Sequence, residues 1–190
     1  MNKLLTTITL LCFSVAFGSQ VKAQSPQAIF DQMLVLRCQL TEFTFEGQPR
    51  KFASDRPLHN LYKISLETNI VFANHLETEN AEDFIYEDVE FEAHLSRTME
   101  LFKDKKRDRE DSDYVASIED TYISLYAIGG DGLVDFGKAN INRVTGELTT
   151  QEPFFGPVKG NCERLNFADY RSYYNHRLQL YRQMLDSRRF

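Results

Sequence analysis

Apolar and polar residues alternate with a period of two along much of this chain, a pattern typical of β-strands that bury one face. The clearest example begins at Leu34, after which Leu36, Cys38 and Leu40 fall on the same side. The same pattern, or a short apolar run, predicts strands at 34–45, 61–67, 70–76, 84–87, 89–97, 99–102, 122–128, 133–136, 138–143 and 147–151. The many glutamates at 83–102 leave a helix open as an alternative in that region.

Polar and glycine-rich segments separate the predicted strands. Residues 47–57 and 103–113 are rich in charge and predict loops, and Gly129-Gly130-Asp131-Gly132 predicts a sharp turn. Val144-Thr145-Gly146 predicts a hairpin turn in which the glycine accepts a positive φ. This order of elements favours an antiparallel meander over a parallel βαβ sheet.

Helical spacing is confined to the two ends of the chain. Ser25-Pro26 is typical of an N-cap followed by proline in the first turn, and predicts a short helix over 26–32. From residue 167 the apolar positions step by three or four, which predicts a helix of about 20 residues that begins near Asn166 or Asp169. The apolar stripe of this helix is the candidate interaction face, formed by Tyr170, Tyr174, Leu178, Tyr181 and Leu185.

This stripe has three interpretations. It packs back on the sheet, or it docks on a protein partner or a second copy of the chain. A third interpretation is a helix lying in a membrane interface with its arginines toward anionic lipid. The absence of tryptophan and the acidic body of the chain argue against the third, and the first two remain open.

Together these elements predict a mainly antiparallel β fold, arranged as a meander, a sandwich or a partly open barrel, with a short N-terminal and a long C-terminal α-helix. The β-rich domain is predicted to span 24–165, followed by the amphipathic helix at 166–190.

Residues 1–23 predict an export signal. Lys3 precedes an apolar run at 4–17, and Val21-Lys22-Ala23 presents small residues to a signal peptidase. The apolar run is too short for a stable transmembrane helix, and no second long run follows. We therefore expect a periplasmic or secreted protein, and the short signal with one lysine is typical of Gram-negative export.

Charge is distributed unevenly. Loss of the signal with Lys3 and Lys22 changes the net charge from −6 to −8, and an acidic chain argues against binding to nucleic acid. Sixteen acidic and six basic residues lie between Glu77 and Asp120, whereas 164–190 contains six arginines and two aspartates. This asymmetry predicts that the basic helix binds an acidic or apolar partner surface.

The cysteines leave one pairing in the mature chain. Cys12 lies within the signal, so Cys38 and Cys162 remain, and two thiols in an oxidising compartment predict a disulfide. Closing so long a loop stabilises a fold by roughly 4 to 5 kcal/mol. A thiol nucleophile or a metal pair is disfavoured, because neither cysteine lies in a CxxC motif or near a histidine.

No established catalytic motif is present. His94 shares one face of a predicted strand with Glu90 and Glu92 and is the best candidate for a general base or a ligand, although a solvated strand face is favoured. Asp131 is a weaker carboxylate candidate. The acidic cluster at 108–113 lacks the glycine and glutamate positions of a calcium loop. We therefore predict no catalytic residue, metal or cofactor.

Three functions are compatible with these features. The preferred one is a non-catalytic, exported binding or assembly module whose C-terminal helix engages a protein partner or a second copy. The first alternative is a carrier that holds a small apolar ligand between sheet and helix among the many Phe and Tyr residues. The second is a periplasmic hydrolase that draws acid and base groups from His94, Glu90, Glu92 or Asp131.

Overall fold

The computed structural model describes residues 24–54, 57–77, 88–107, 114–127, 139–152 and 156–188. The helices in this part of the chain are α1 (Pro26–Phe30), α2 (Phe91–Arg107) and α3 (Phe167–Ser187). The strands are β1 (Met33–Phe45), β2 (Gln48–Lys51), β3 (His59–Ser65), β4 (Ile70–Glu77), β5 (Tyr114–Ile118), β6 (Tyr122–Ala127), β7 (Ala139–Asn142), β8 (Glu147–Glu152) and β9 (Gly156–Arg164). The predicted signal, the strands at 84–87 and 133–136 and the turn at 129–132 lie outside the described residues.

The strands form an antiparallel meander that closes on itself. They are hydrogen-bonded in the order β2-β1-β3-β4-β5-β6-β7-β8-β9, and β9 returns to pair with β1. This return closes eight strands into a barrel, while β2 forms a hairpin with the end of β1. The predicted fold class is confirmed, and of the predicted architectures the chain forms the barrel, closed by the pairing of β1 with β9.

The alternation along β1 serves two hydrophobic cores. Leu36, Cys38 and Leu40 point into the barrel and pack there with aliphatic side chains from the other strands. Met33 and Val35 point outward, into a second core between the barrel and the helices. The beginning of β1 is therefore buried on both faces, as expected for a strand covered by a helical layer.

Aromatic side chains join the three helices in this outer core. Phe30 of α1 and Phe91 of α2 both contact Phe167 of α3, with ring centroids 5.7 and 5.6 Å apart. Phe91 also contacts Tyr170 and Tyr174 at 5.5 and 5.6 Å. Edge-to-face contacts at these distances are favourable in addition to the apolar area that they bury.

The caps of the terminal helices follow the sequence prediction. The Oγ of Ser25 accepts a hydrogen bond from the N–H of Ala28 at 3.2 Å, with Pro26 in the first turn. The Oδ1 of Asn166 accepts from the N–H of Asp169 at 2.9 Å. Asn166 is thus the N-cap of α3.

The strands predicted at 89–97 and 99–102 are wrong, because this region forms α2. Phe91, Leu95, Met99 and Phe102 are separated by steps of four, four and three, and all four are buried on one side of the helix. That spacing fits a helical period and gives the segment a single apolar stripe. The loop predicted to begin at residue 103 instead continues this helix to Arg107.

Three further strands, β2, β5 and β9, are not among those predicted. Part of the loop predicted at 47–57 forms β2, which pairs with β1 across a two-residue turn with positive φ at Glu46 (51°) and Gly47 (73°). The second is β5, which pairs with β4 and β6. The third is β9, which pairs with β8 and β1.

Candidate functional site

A disulfide spans the seam where β1 and β9 close the barrel. Cys38 lies directly opposite Cys162, with the two sulfur atoms 2.03 Å apart and the Cα atoms 3.8 Å apart. The N–H of Cys162 points away from β1 and donates to the carbonyl of Gly146 at 2.7 Å. The pair therefore occupies a non-hydrogen-bonded position, where opposing side chains of an antiparallel ladder come closest.

Beside this disulfide, a cavity of about 220 Å³ opens at the end of the barrel where β1 begins and β9 ends. We call it the mouth cavity. Its walls are largely apolar and include Leu34, Leu36, Ile123, Ile141 and Cys162. Leu36, Ile123 and Ile141 are buried, so the cavity ends against the packed interior of the barrel.

Two arginines stand at the rim of the mouth cavity. Arg143 follows the last residue of β7, and its guanidinium donates to the backbone carbonyl of Glu119. Arg164 is the last residue of β9. It lines the same cavity as Cys162, which lies two positions earlier on that strand. Within the described residues, neither guanidinium is paired with a carboxylate. The site therefore combines apolar walls with two exposed positive charges.

The turn between β7 and β8 holds Arg143 in place. The Oδ1 of Asn142 accepts hydrogen bonds from the N–H groups of Val144 and Thr145, at 2.8 and 3.0 Å. The N–H of Arg143 donates to the carbonyl of Thr121 at 2.8 Å. Gly146 has φ of 77°, and a Cβ there would lie 2.7 Å from the carbonyl oxygen of Cys162. Turn chemistry and close backbone approach together fix this part of the rim.

The candidate interaction face of α3 is mostly occupied by the protein itself. Tyr170, Tyr174 and Leu178 are buried against β1, β3 and α2. Tyr181 and Leu185 are partly buried. The helix therefore packs on the barrel, and only these last two positions of the face retain an open surface.

The opposite charges found in the sequence meet within the chain. Arg182 of α3 donates to Asp88 at 2.6 Å and to Glu90 at 2.9 Å. Arg171 donates to Glu92 at 2.9 Å. These bridges clamp α3 to the start of α2, so part of the charge asymmetry is used inside the fold rather than displayed to a partner.

His94 lies on α2, and the predicted strand face that it would share with Glu90 and Glu92 does not exist. Its Nε2 is 2.8 Å from the hydroxyl of Tyr170, and its ring stacks on Tyr174 with centroids 4.4 Å apart. Burial, together with the nearby charge of Lys63, lowers the pKa of His94 to about 3. The imidazole is therefore neutral near pH 7 and is a weak base.

Tyr174 completes this packed group. Its hydroxyl donates to the backbone carbonyl of Val89 at 2.9 Å. Burial, and then the charge of Glu90, raises the pKa of Tyr174 to about 12. Both pKa shifts favour the neutral form of the ring, which is the direction expected when burial dominates.

A second, more open groove of about 510 Å³ runs outside the barrel between β9 and α3. Asp169, Ser172 and His176 line it from α3. In the described structure, however, no hydrogen bond joins Ser172 to His176 or His176 to Asp169. These three side chains therefore do not form the hydrogen-bonded relay that activates a serine nucleophile.

The remaining sequence candidates divide between described and undescribed residues. Asp131 and the acidic cluster at 108–113 lie outside the described ranges. Inside those ranges, no group of three or more His, Cys, Asp or Glu side chains is arranged to hold a metal ion. None of the described helices combines the length and apolar character that crossing a bilayer requires.

The mouth cavity itself was missed from the sequence. Arg164 stands two residues after Cys162, which places both on the same face of a strand, and this spacing is the one local signal that could have found it. Arg143 carries no comparable signal, because it reaches the site through the turn between β7 and β8 and through strand pairing.

Comparison of the chain with protein-family models, with curated proteins and with solved structures gives no match in any of the three.

Proposed function

We propose that this chain is a non-catalytic, exported binding module and that the mouth of its barrel is the binding surface. The observation that carries the proposal is the mouth cavity, which combines apolar walls with the two rim arginines. Ligand sites are typically concave, mostly apolar and provided with a few polar groups that orient the ligand. An eight-stranded barrel has an interior of the size that fills with side chains or accepts one small ligand.

The export part of the proposal rests on the predicted signal at 1–23 and on the disulfide. Structural disulfides persist in oxidising compartments, and the bond between Cys38 and Cys162 joins the two strands that close the barrel. A periplasmic or secreted location of a Gram-negative protein fits both features.

Catalysis by the sequence candidates is less well supported. His94 is packed between two tyrosines, and Glu90 and Glu92 are engaged by Arg182 and Arg171. A general base needs access to its substrate and a pKa near the working pH. This group is better explained as the contact between α2 and α3.

The two other binding hypotheses also change. Assembly through α3 would have to use Tyr181 and Leu185, because the rest of the predicted face is buried. A ligand held between sheet and helix would have to displace the contacts of Phe91 with Phe167 and Tyr170. The carrier hypothesis is therefore moved to the barrel mouth.

Chemical-shift mapping tests the binding surface. The oxidised, exported protein would be labelled with ¹⁵N and titrated with a set of small neutral, anionic and cationic fragments. We expect the shift changes to concentrate on amides around the mouth cavity, such as those of Gly146 and Cys162. A full set of fragments that leaves these amides unmoved would show that the mouth is not a binding site.

A pair of tryptophan variants sharpens this test, since the chain contains no tryptophan. Leu34→Trp places a bulky indole ring in the cavity wall and should abolish the shift changes. Leu66→Trp makes the same substitution at an exposed site on a neighbouring turn and should preserve them. Equal binding by both variants would contradict the mouth as the site.

A further inference from the structure

We infer that the mouth cavity takes a small amphipathic anion, an organic carboxylate whose apolar chain lies on the cavity walls while its headgroup meets Arg143 and Arg164. The inference rests on the proposed binding function and assigns the ligand class for that same site. It has two independent supports, the size and lining of the cavity and the charge at its rim.

The cavity limits the apolar part of the ligand. An apolar cavity of ~150 Å³ holds benzene, so about 220 Å³ accommodates roughly eight to ten non-hydrogen atoms. The walls formed by Leu34, Leu36, Ile123 and Ile141 offer an aliphatic chain contact and little hydrogen bonding. A medium-length acyl chain or a single ring matches this volume and this lining.

The rim specifies the sign of the headgroup charge. The guanidiniums of Arg143 and Arg164 have no carboxylate partner within the described residues, and Arg143 uses one donor on the carbonyl of Glu119. Guanidinium groups bind carboxylates through charge-assisted hydrogen bonds, which are shorter and stronger than neutral ones.

The acidic residues nearby do not reverse this preference. Glu119, Asp120 and Glu147 lie on the same end of the barrel, but their side chains are exposed and do not line the cavity. The arginines therefore act at the rim itself, at contact distance from a bound headgroup, where a specific interaction is least screened by salt.

Three ligands of nearly equal size test the inference: octanoate, 1-octanol and octylammonium. Each would be titrated into the ¹⁵N-labelled, oxidised protein, and dissociation constants would be taken from the amides of Gly146 and Cys162. We expect octanoate to bind at least about tenfold more tightly than the other two, because a hydrogen bond to a charged group contributes more than one to a neutral group.

Two variants with the same change of charge assign the effect to the rim. Arg164→Gln should weaken octanoate binding about tenfold and leave 1-octanol unchanged. Arg50→Gln serves as the control, because Arg50 is exposed on β2 at the far end of β1. Its octanoate affinity should stay within about twofold of the wild type. Spectra of the free variants verify that both retain the fold.

The outcomes separate this inference from the proposed function. Equal binding of octanoate and 1-octanol at the mouth, unaffected by Arg164→Gln, overturns the anion inference and leaves the binding function standing. Tighter binding of octylammonium has the same meaning. If none of the three ligands binds while other fragments do, the ligand class is again wrong. If no fragment shifts the amides at the mouth, both proposals are overturned.

Discussion

His94 sits between Tyr170 and Tyr174 and has exchanged most of its contact with water for contact with two rings. The sequence places it beside Glu90 and Glu92, and a carboxylate neighbour would stabilise its charged form. In the folded protein burial acts in the opposite direction and lowers the pKa to about 3. The type of residue could be recognised from the sequence, but its environment depends on a tyrosine 76 positions away.

This environment predicts a pH dependence of stability. The folded-state pKa of His94 is about 3, below the ordinary value of 6.5, so between these values the unfolded chain binds a proton that the folded chain excludes. The free energy of unfolding should therefore fall with decreasing pH, by up to about 1.4 kcal/mol per pH unit from this group. His94→Gln should remove that part of the slope in urea unfolding measured from pH 7 to 4.

The matched control for this experiment is His176→Gln, which replaces an exposed histidine on α3. The free energy of unfolding of this variant should depend on pH as steeply as that of the wild type. Equal slopes for the His94→Gln variant and the wild type would mean that the buried imidazole does not couple folding to protonation.

Two glycines with nearly equal φ separate backbone strain from steric contact. Gly146 and Gly47 have φ of 77° and 73°, but a Cβ at Gly146 would lie 2.7 Å from a carbonyl oxygen, whereas one at Gly47 meets nothing within 4 Å. Gly47→Ala should therefore lower the free energy of unfolding by about 1 kcal/mol, from the left-handed conformation alone. Gly146→Ala should lower it by about 3 kcal/mol.

Denaturant unfolding of these two alanine variants measures the difference directly. A similar loss in both would show that the turn between β7 and β8 shifts to accommodate the methyl group, and that the close approach to Cys162 is not a constraint.

At the scale of elements, α2 shows why a short apolar pattern can mislead. Phe91 and Leu95 fit a period of two as well as a helical period, because four positions are two strand repeats and about one helical turn. Met99 also fits both periods, but Phe102 continues only the helical series, and Ala93, which a strand would bury with Phe91, is exposed. A longer window would have favoured the helix. The long strand β1 and the helix α3 were predictable because their patterns persist over many residues.

The helix α2 also predicts a contrast between two of its own side chains. Phe91 is buried against aromatic rings of α3, whereas Leu101 is 51% exposed on the same helix. Phe91→Ala should cost about 3 to 5 kcal/mol of stability, since it leaves a cavity in the outer core. Leu101→Ala should change stability by less than about 0.5 kcal/mol. Thermal or urea unfolding of both variants provides the measurement, and comparable losses would contradict the assigned face.

For the whole molecule, local patterns predict most of the strands but not the site that their closure creates. The meander order follows from hairpins between strands that are neighbours in sequence. Turns such as the one at Gly146 can be recognised from their amino-acid composition. The mouth cavity requires β9 to return beside β1, which is a pairing between the two ends of the sheet. The cysteine pair was the one feature of the sequence that joined those ends, and it gave no indication of the arginines beside it.

Because the disulfide joins the two strands that close the barrel, it affects the stability of the whole fold. Cys38 and Cys162 are 124 residues apart, and a cross-link over so long a loop restricts the unfolded chain and stabilises the folded one by about 5 kcal/mol. Reduction should therefore move the urea midpoint to lower concentration and steepen the transition, because the unfolded chain exposes more surface. The variant Cys38→Ala/Cys162→Ala should unfold near the reduced wild type and be indifferent to reductant. If reduced and oxidised proteins unfold at the same midpoint, backbone pairing of β1 with β9 closes the barrel without help from the bond.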